Sequence, residues 1–335
     1  MKNAVTIDKY DQKILYELNK DGRIPVSKLA QKINKSKDFV NYRITRLKNL
    51  GIYVKDIVLM DTSKLGLSCY YLYLQVISKQ KIPELIKYFR DCPEVWDIMK
   101  LIGKYQIFTV IYAKGIKQIE EIIVDLGEQF GDLIINYRLL SVYNGYSLAH
   151  NFLFKDFDNV YHHKLRFGAN KVNLSEKELK LLAFLNNDGR ASFNKIANEI
   201  GSNLPKVKEM YSDLIRREVI HSFRPSLNSV KLNYLHKHVL IRLKFAGMKK
   251  LNEIKTYLLG LKETKSLSLT FGRYDIVGRF IFESLVDFQE FQEDFYNKYG
   301  KFVYSLHADD YFEEMDYTPQ QAMDNLIKEQ ELNSY

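Results

Sequence analysis

Apolar residues fall on a helical period at Ile14, Leu15 and Leu18, and that run stops at Asp21-Gly22. Asp8 stands where a side-chain oxygen can cap the first turn, and the Asp-Gly pair is a helix breaker. After Pro25 the pattern predicts a short helix with Val26, Leu29, Ala30 and Ile33 on one face. Asn34-Lys35 makes a tight turn, Ser36 is placed to cap a third helix, and Val40, Ile44 and Leu47 point inward until Gly51 ends it. Two short helices joined by a tight turn make a helix-turn-helix. The alternation over residues 52–60 predicts strands, the wing of such a module.

The pattern then switches between strand and helix periods. Residues 67–77, 95–101, 107–112 and 133–142 read as strands, and 82–90 and 116–129 as helices. The order βαββαβ gives a four-stranded sheet with two helices on one face, a ferredoxin-like arrangement. Its other face is left open, and the aromatic and aliphatic content predicts that a second copy covers it.

That second copy is in the chain itself. Asp21-Gly22-Arg23 returns as Asp188-Gly189-Arg190, Leu29-Ala30 as Ile196-Ala197, Leu47 as Leu214 and Ser63-Lys64-Leu65 as Val230-Lys231-Leu232, all at an offset of 167. Gly103-Lys104-Tyr105 matches Gly272-Arg273-Tyr274 at 169, which needs a two-residue insertion. Residues 238–245, 266–270, 276–282 and 302–307 repeat the strands, and 251–261 and 285–299 the helices. The expected fold is therefore α+β, two tandem units, each a winged helix-turn-helix followed by a ferredoxin-like βαββαβ domain. The boundaries are 1–60 and 61–150 for the first unit, 151–173 for a linker, 174–234 and 235–317 for the second unit, and 318–335 for a tail.

Charge follows the same division. Residues 1–60 carry 13 Lys and Arg against 6 Asp and Glu, and residues 151–234 carry 14 against 9. Residues 61–150 balance at 10 against 10, and 235–335 are acidic at 13 against 16. Both basic blocks hold a helix-turn-helix, which points to a polyanion partner. On the third helix the outer face would show Lys37, Asp38, Asn41, Tyr42, Thr45 and Arg46. Asn pairs bidentately with adenine and Arg with guanine, while Lys, and Ser36 at the helix N-terminus, suit phosphates. In the second copy Met210 and Asp213 replace Arg43 and Arg46, and Pro205 enters the first turn, leaving Lys206 and Lys208 to grip phosphate. The first copy is thus expected to read sequence, and the second to be weaker or structural.

Other chemistries find little footing. Cys69 and Cys92 are far from any Cys/His cluster and read as small packed residues in a reducing compartment. The N-terminus lacks a signal-like apolar core and no apolar run spans a membrane, so the cytoplasm is expected. There is no phosphate-binding Gly-rich loop and no Ser/His/Asp pattern. The acidic run Asp309, Asp310, Glu313, Glu314 and Asp316 falls after the last expected strand and reads as a solvated edge guard, not a metal site.

The residues resemble the Lrp/AsnC, or feast/famine, regulators. Asp11-x-x-Ile14-Leu15-x-x-Leu18-x-x-Asp21-Gly22-Arg23 resembles the family's opening helix. The run 36–53, with Arg43, Arg46-Leu47 and Gly51, resembles its recognition helix and wing entry. Gly272-Arg273-Tyr274-Asp275 resembles the family's turn between the second and third sensor strands. The resemblance implies binding of double-stranded DNA through Ser36, Lys37, Asn41, Tyr42, Arg43, Thr45 and Arg46, with half-sites about 10 bp or a multiple apart. It also implies sensor sheets pairing in a homo-oligomer or an internal pseudo-dimer. A small effector such as an amino acid would act near Gly103, Tyr105, Gly272, Tyr274 and Asp275. The first copy has Gln106 where that turn carries Asp.

Siroheme decarboxylases resemble paired copies of this same unit and carry a His-Asn-Tyr-type motif on the sensor sheet. Here the equivalent strands hold Trp96-Asp97-Ile98-Met99-Lys100 and Leu267-Ser268-Leu269, with no His. His162-His163 falls in the linker, and His236 and His238 share one side of a strand. The expectation is a DNA-binding transcription regulator that is not an enzyme and needs no cofactor or metal. The alternatives are an enzyme of the decarboxylase kind or an effector-binding or assembly protein that has lost DNA binding.

Overall fold

The computed structural model describes residues 6–148, 150–154, 156, 162–166, 171–244, 247–316 and 323–328. The chain divides into two compact units that interleave along the sequence: Met1–Asp61, Val172–Asn233 and Thr318–Tyr335 in one, Thr62–Lys171 and Tyr234–Tyr317 in the other.

The first unit holds both helix-turn-helix modules. Copy one is α1 (Lys9–Lys20), α2 (Val26–Lys32), α3 (Lys37–Asn49) and β1 (Tyr53–Met60). Copy two is α6 (Glu176–Asn187), α7 (Phe193–Glu199), α8 (Leu204–Arg216) and β7 (Ile220–Leu227). Asp8 and its repeat equivalent Ser175 each close a capping box, satisfying first-turn amides that have no partner within the helix. Ile14, Leu15, Leu18, Leu29, Val40 and Leu47 are all fully buried, as their helical spacing requires. Left-handed backbone recurs at the same offset of 167: Asn34 and Gly201 turn the chain into the third helix of each copy, and Gly51 and Glu218 end it. The duplication is thus preserved in backbone shape even where the residue type has changed.

The expected wing takes an unexpected partner. β1 pairs antiparallel with β7, its own repeat, with Ile57 opposite Arg224, and those two residues are themselves equivalent at 167. The two modules are therefore joined about a local pseudo-twofold axis. Around it, Arg23 donates to the carbonyls of Gly189 and Ala191, and Arg190 donates to those of Gly22 and Ile24, a reciprocal clasp. A Cβ on Gly22 would lie 2.5 Å from the Phe223 carbonyl carbon, so only glycine permits this approach.

The second unit is built from β2 (Ser68–Val76), α4 (Ile82–Asp91), β3 (Val95–Ile102), β4 (Ile107–Ala113), α5 (Ile116–Phe130), β5 (Ile134–Leu148) and β6 (His162–Arg166). Copy two adds β8 (Leu235–Leu243), α9 (Met248–Gly260), β9 (Thr264–Phe271), β10 (Ile276–Phe282), α10 (Leu285–Tyr299) and β11 (Val303–Asp316). The strands lie in the order β2-β4-β3-β11-β8-β10-β9-β5-β6, and β2 also pairs with β5, so eight strands close a ring with β6 outside it. Each copy packs two helices on its outer sheet face. Inside, Tyr73, Met99, Leu101, Tyr105, Phe108 and Leu140 of copy one meet Leu240, Tyr274, Val277 and Tyr311 of copy two. The open faces are indeed covered by one another.

Ring closure corrects two expectations, and a strand outside the ring corrects a third. β5 and β11 run well past their expected ends, because their second halves pair with β9 and β3 of the other copy. The acidic run from Asp309 to Asp316 therefore lies within a strand, not after one. Asp309 is buried and accepts from the Lys104 amide, and Asp310 pairs with Lys237 at 2.6 Å. Part of the expected linker, with His162 and His163, is a strand on β5. Among the described residues no helix is long and apolar enough to cross a membrane.

Candidate nucleic-acid interface

The third helix starts where its cap predicts: Ser36 Oγ accepts from the Phe39 amide at 3.1 Å. Burial of Val40 and Leu47 turns Lys37, Asp38, Asn41, Tyr42, Thr45 and Lys48 to solvent, and Tyr42 is 65% exposed. An exposed tyrosine beside an amide, a hydroxyl and two lysines is a surface that offers hydrogen bonds and charge but buries nothing of its own.

Arg43 and Arg46 are placed otherwise. Asp11 on α1 is fully buried, and a carboxylate there requires cationic partners. Arg46 supplies one at 2.8 Å, and Arg43 reaches Asp11 at 3.4 Å and Asp8 at 2.6 Å. The expectation that Arg46 stands on the outer face is corrected: it is half-buried and tethers α3 to α1. Burial works against the charge of Asp8, but the Asp11 amide and the Arg43 guanidinium overcome it and hold its carboxyl below the usual range. Arg43 also lies over the Phe39 ring, which meets Tyr10 edge-on.

In copy two the same joint is made from different residues. Glu178, equivalent to Asp11, pairs with Arg217, which also holds Asp213 at 2.7 Å and donates to the Asn173 carbonyl at 2.9 Å. Met210 is buried, since Arg217 supplies from the end of α8 the cation that Glu178 needs. Asn203 caps α8 by accepting from the Lys206 amide. Lys206 and Lys208 are exposed, with Lys206 paired to Glu209 at 3.0 Å.

The residues expected near an effector lie in the second unit. Gly103 and Gly272 turn with positive φ, and Tyr105 and Tyr274 pack together inside the ring. Burial and the neighbouring Tyr274 push the Tyr105 phenol up to about 12. Asp275 accepts from the Leu243 amide at 2.7 Å, and Gln106 does the same for the equivalent Val76 amide at 2.9 Å. The departure at Gln106 thus keeps the backbone clamp and removes only the charge. His238 bonds Tyr73 at 2.9 Å and His236 meets Tyr311 edge-on, both buried in the ring. Burial pushes the Cys69 thiol up, and the Cys92 thiol to about 12, so neither is poised as a nucleophile. Among the described residues no group of three or more His, Cys, Asp or Glu could hold a metal.

Clefts on the outer helices of the second unit are acidic in both copies, lined by Glu94, Glu121 and Asp125 in one and by Glu263, Glu290 and Asp294 in the other. That is the wrong sign for a phosphate backbone, whereas the first unit holds the first basic block and the helix-turn-helix part of the second. The residues that sequence reasoning missed are Asp8 and Asp11 as anchors of α3, Lys48 on its face, and the Arg23 and Arg190 clasp. The Asp-Gly-Arg repeat was the available signal for the clasp.

Residues 7–48 match the AsnC-type helix-turn-helix domain. An uncharacterized HTH-type transcriptional regulator of Pyrococcus horikoshii is 30% identical over 122 residues, which is 35% of this chain and 80% of that protein. The regulatory protein AsnC of Haemophilus influenzae is 26% identical over 139 residues, 41% of this chain and 93% of that protein. Over nearly the whole length, the chain shares the fold of the siroheme decarboxylase NirDL, with a TM-score of 0.64 at 15% identity, covering 97% of this chain and 99% of that one. A second structure of that enzyme, in complex with an iron-uroporphyrin III analogue, matches with the same TM-score, covering 98% and 100%. The expectation that the chain is not an enzyme is overturned by these matches: the fold of the full tandem chain is one that an enzyme uses. The missing histidine on β3 and β9 does not exclude catalysis.

Proposed function

The chain belongs to the Lrp/AsnC family of helix-turn-helix regulators, and on that premise we propose that it is a sequence-specific DNA-binding transcription regulator whose first module reads the bases. The observation that carries this reading is the face of α3, where Lys37, Asn41, Tyr42, Thr45 and Lys48 are all exposed on a capped helix within a basic block. Asn41 suits an adenine edge and Thr45 either base or backbone, while Lys37, Lys48 and the helix N-terminus at Ser36 suit phosphates. Arg43 and Arg46 act through position, holding α3 on α1, and Lys206 and Lys208 add backbone contacts from the second module. A small effector would act by repacking the ring around Tyr105 and Tyr274.

A second reading, catalysis on an iron tetrapyrrole, is favoured by the fold shared with NirDL along 97% of the chain. Titration of genomic fragments, including the protein's own promoter, at several salt concentrations separates the two. The regulator reading expects at least one fragment bound well above the rest, with log K falling linearly with log salt. Asn41→Ala should weaken that complex about 5- to 150-fold, the equivalent of roughly 1–3 kcal/mol for a bidentate base contact. Equal, weak binding to every fragment would sink the regulator reading. An iron-uroporphyrin titration followed by absorbance would then test the second.

A further inference from the structure

In a symmetric dimer the operator's palindromy mirrors the protein's twofold axis. Here both modules lie in one compact unit, joined by β1 and β7 and by the reciprocal arginine clasp, so they meet a duplex as one body. The backbone obeys the twofold, but the exposed side chains do not. At equivalent positions α3 exposes Lys37, Asn41, Tyr42 and Lys48, whereas α8 exposes Lys208, Glu209 and Ile215 and half-buries Leu204. Asn41 offers a paired donor and acceptor to a base edge, whereas Lys208 is a point charge suited to phosphate. Glu209 is held by Lys206 at 3.0 Å and gives α8 an acid where α3 has a tyrosine.

We infer that the DNA site of this chain is asymmetric: a single sequence-specified half-site under α3, flanked about one helical turn away by a stretch that α8 grips through its backbone with little regard to sequence. The inference rests on the DNA-binding reading and goes beyond it, because it fixes the direction in which the chain lies on its site. Base information resides on the α3 side alone, while both sides hold the phosphate backbone.

Selection from a randomised duplex library tests it, using the full chain, Asn41→Ala and Lys208→Ala. Both substituted residues are exposed, and circular dichroism with thermal melting verifies that each variant is folded. Wild type should enrich one non-palindromic block, and Asn41→Ala should flatten one or two positions within it. Lys208→Ala should enrich the same block with lower affinity and a salt slope smaller by about one. Enrichment of an inverted repeat with two equal halves would overturn the inference while leaving the regulator reading intact. A changed motif with Lys208→Ala would overturn it as well. Enrichment of no sequence at all would overturn the regulator reading, and this inference with it.

Discussion

Two acids at the start of α1 decide how α3 is held. Asp8 serves at once as the cap of α1, accepting from the Tyr10 and Asp11 amides, and as a partner of Arg43. Asp8→Ala should therefore destabilise the first unit by about 0.5–2 kcal/mol, the usual cost of a lost cap, read by urea denaturation. Because the folded carboxyl lies below its ordinary 3.8, the stabilisation it gives is present above that value and lost as pH falls through the folded one. The stability gap between wild type and Asp8→Asn should thus be full at neutral pH and narrow below about pH 4; a gap that widened in acid would contradict the assignment. Helix periodicity correctly buried Val40 and Leu47, and the cap at Ser36 was legible from residue type and place. The inward turn of Arg46 was not, because a side chain half-way round a helix is drawn to whichever buried charge faces it. Asp11 lies 35 residues away in the chain.

At the scale of elements, the expectations that failed concern which strand edge is met: one in the other copy for β5, β11 and the wing, and β5 itself for the strand found in the expected linker. Strand periodicity found β2, β4 and β10 almost to the residue, since each has its neighbours within its own repeat, and it found β3 as closely although β11 of the other copy flanks it. It stopped short on β5 and β11, whose outer halves are met by β9 and β3 of the other copy and, for β5, also by β6. A period-two pattern reports burial on two faces and says nothing about which edge is met. The wing followed the same course: its alternation was read correctly, and its partner was its own repeat. The clasp makes that junction testable. Arg190 reaches the Ile24 carbonyl at 2.8 Å and Arg23 the Ala191 carbonyl at 2.7 Å, each with a second carbonyl on the same guanidinium. Arg190→Ala should cost roughly 1.5–3 kcal/mol of stability, the range for hydrogen bonds from a charged donor. Arg190→Lys should recover little of it, because an ammonium does not present the planar fork that spans two carbonyls. Full rescue by Lys would show that charge, not the fork, holds the modules together.

For the whole molecule, duplication within one chain changes what evolution can do with a twofold design. In a homodimer every substitution appears twice, so a residue that suits one half-site is imposed on the other. Here α3 and α8 have diverged while the joint between their modules, made of β1, β7 and the paired Asp-Gly-Arg segments, kept its symmetry. Both places where the copies meet, that strand pair and the closed ring of eight strands, lie inside a single polypeptide. Their closure is intramolecular and pays no concentration-dependent association cost. The unfolding midpoint of the full chain, followed by circular dichroism in urea, should accordingly be the same across a 100-fold range of protein concentration. If the copies instead met between chains, mass action alone would shift apparent stability by about 2.7 kcal/mol over that range. A shift of that size would mean that further copies of the chain complete the fold, and the freedom of α8 to differ from α3 would then have to be explained within a symmetric assembly.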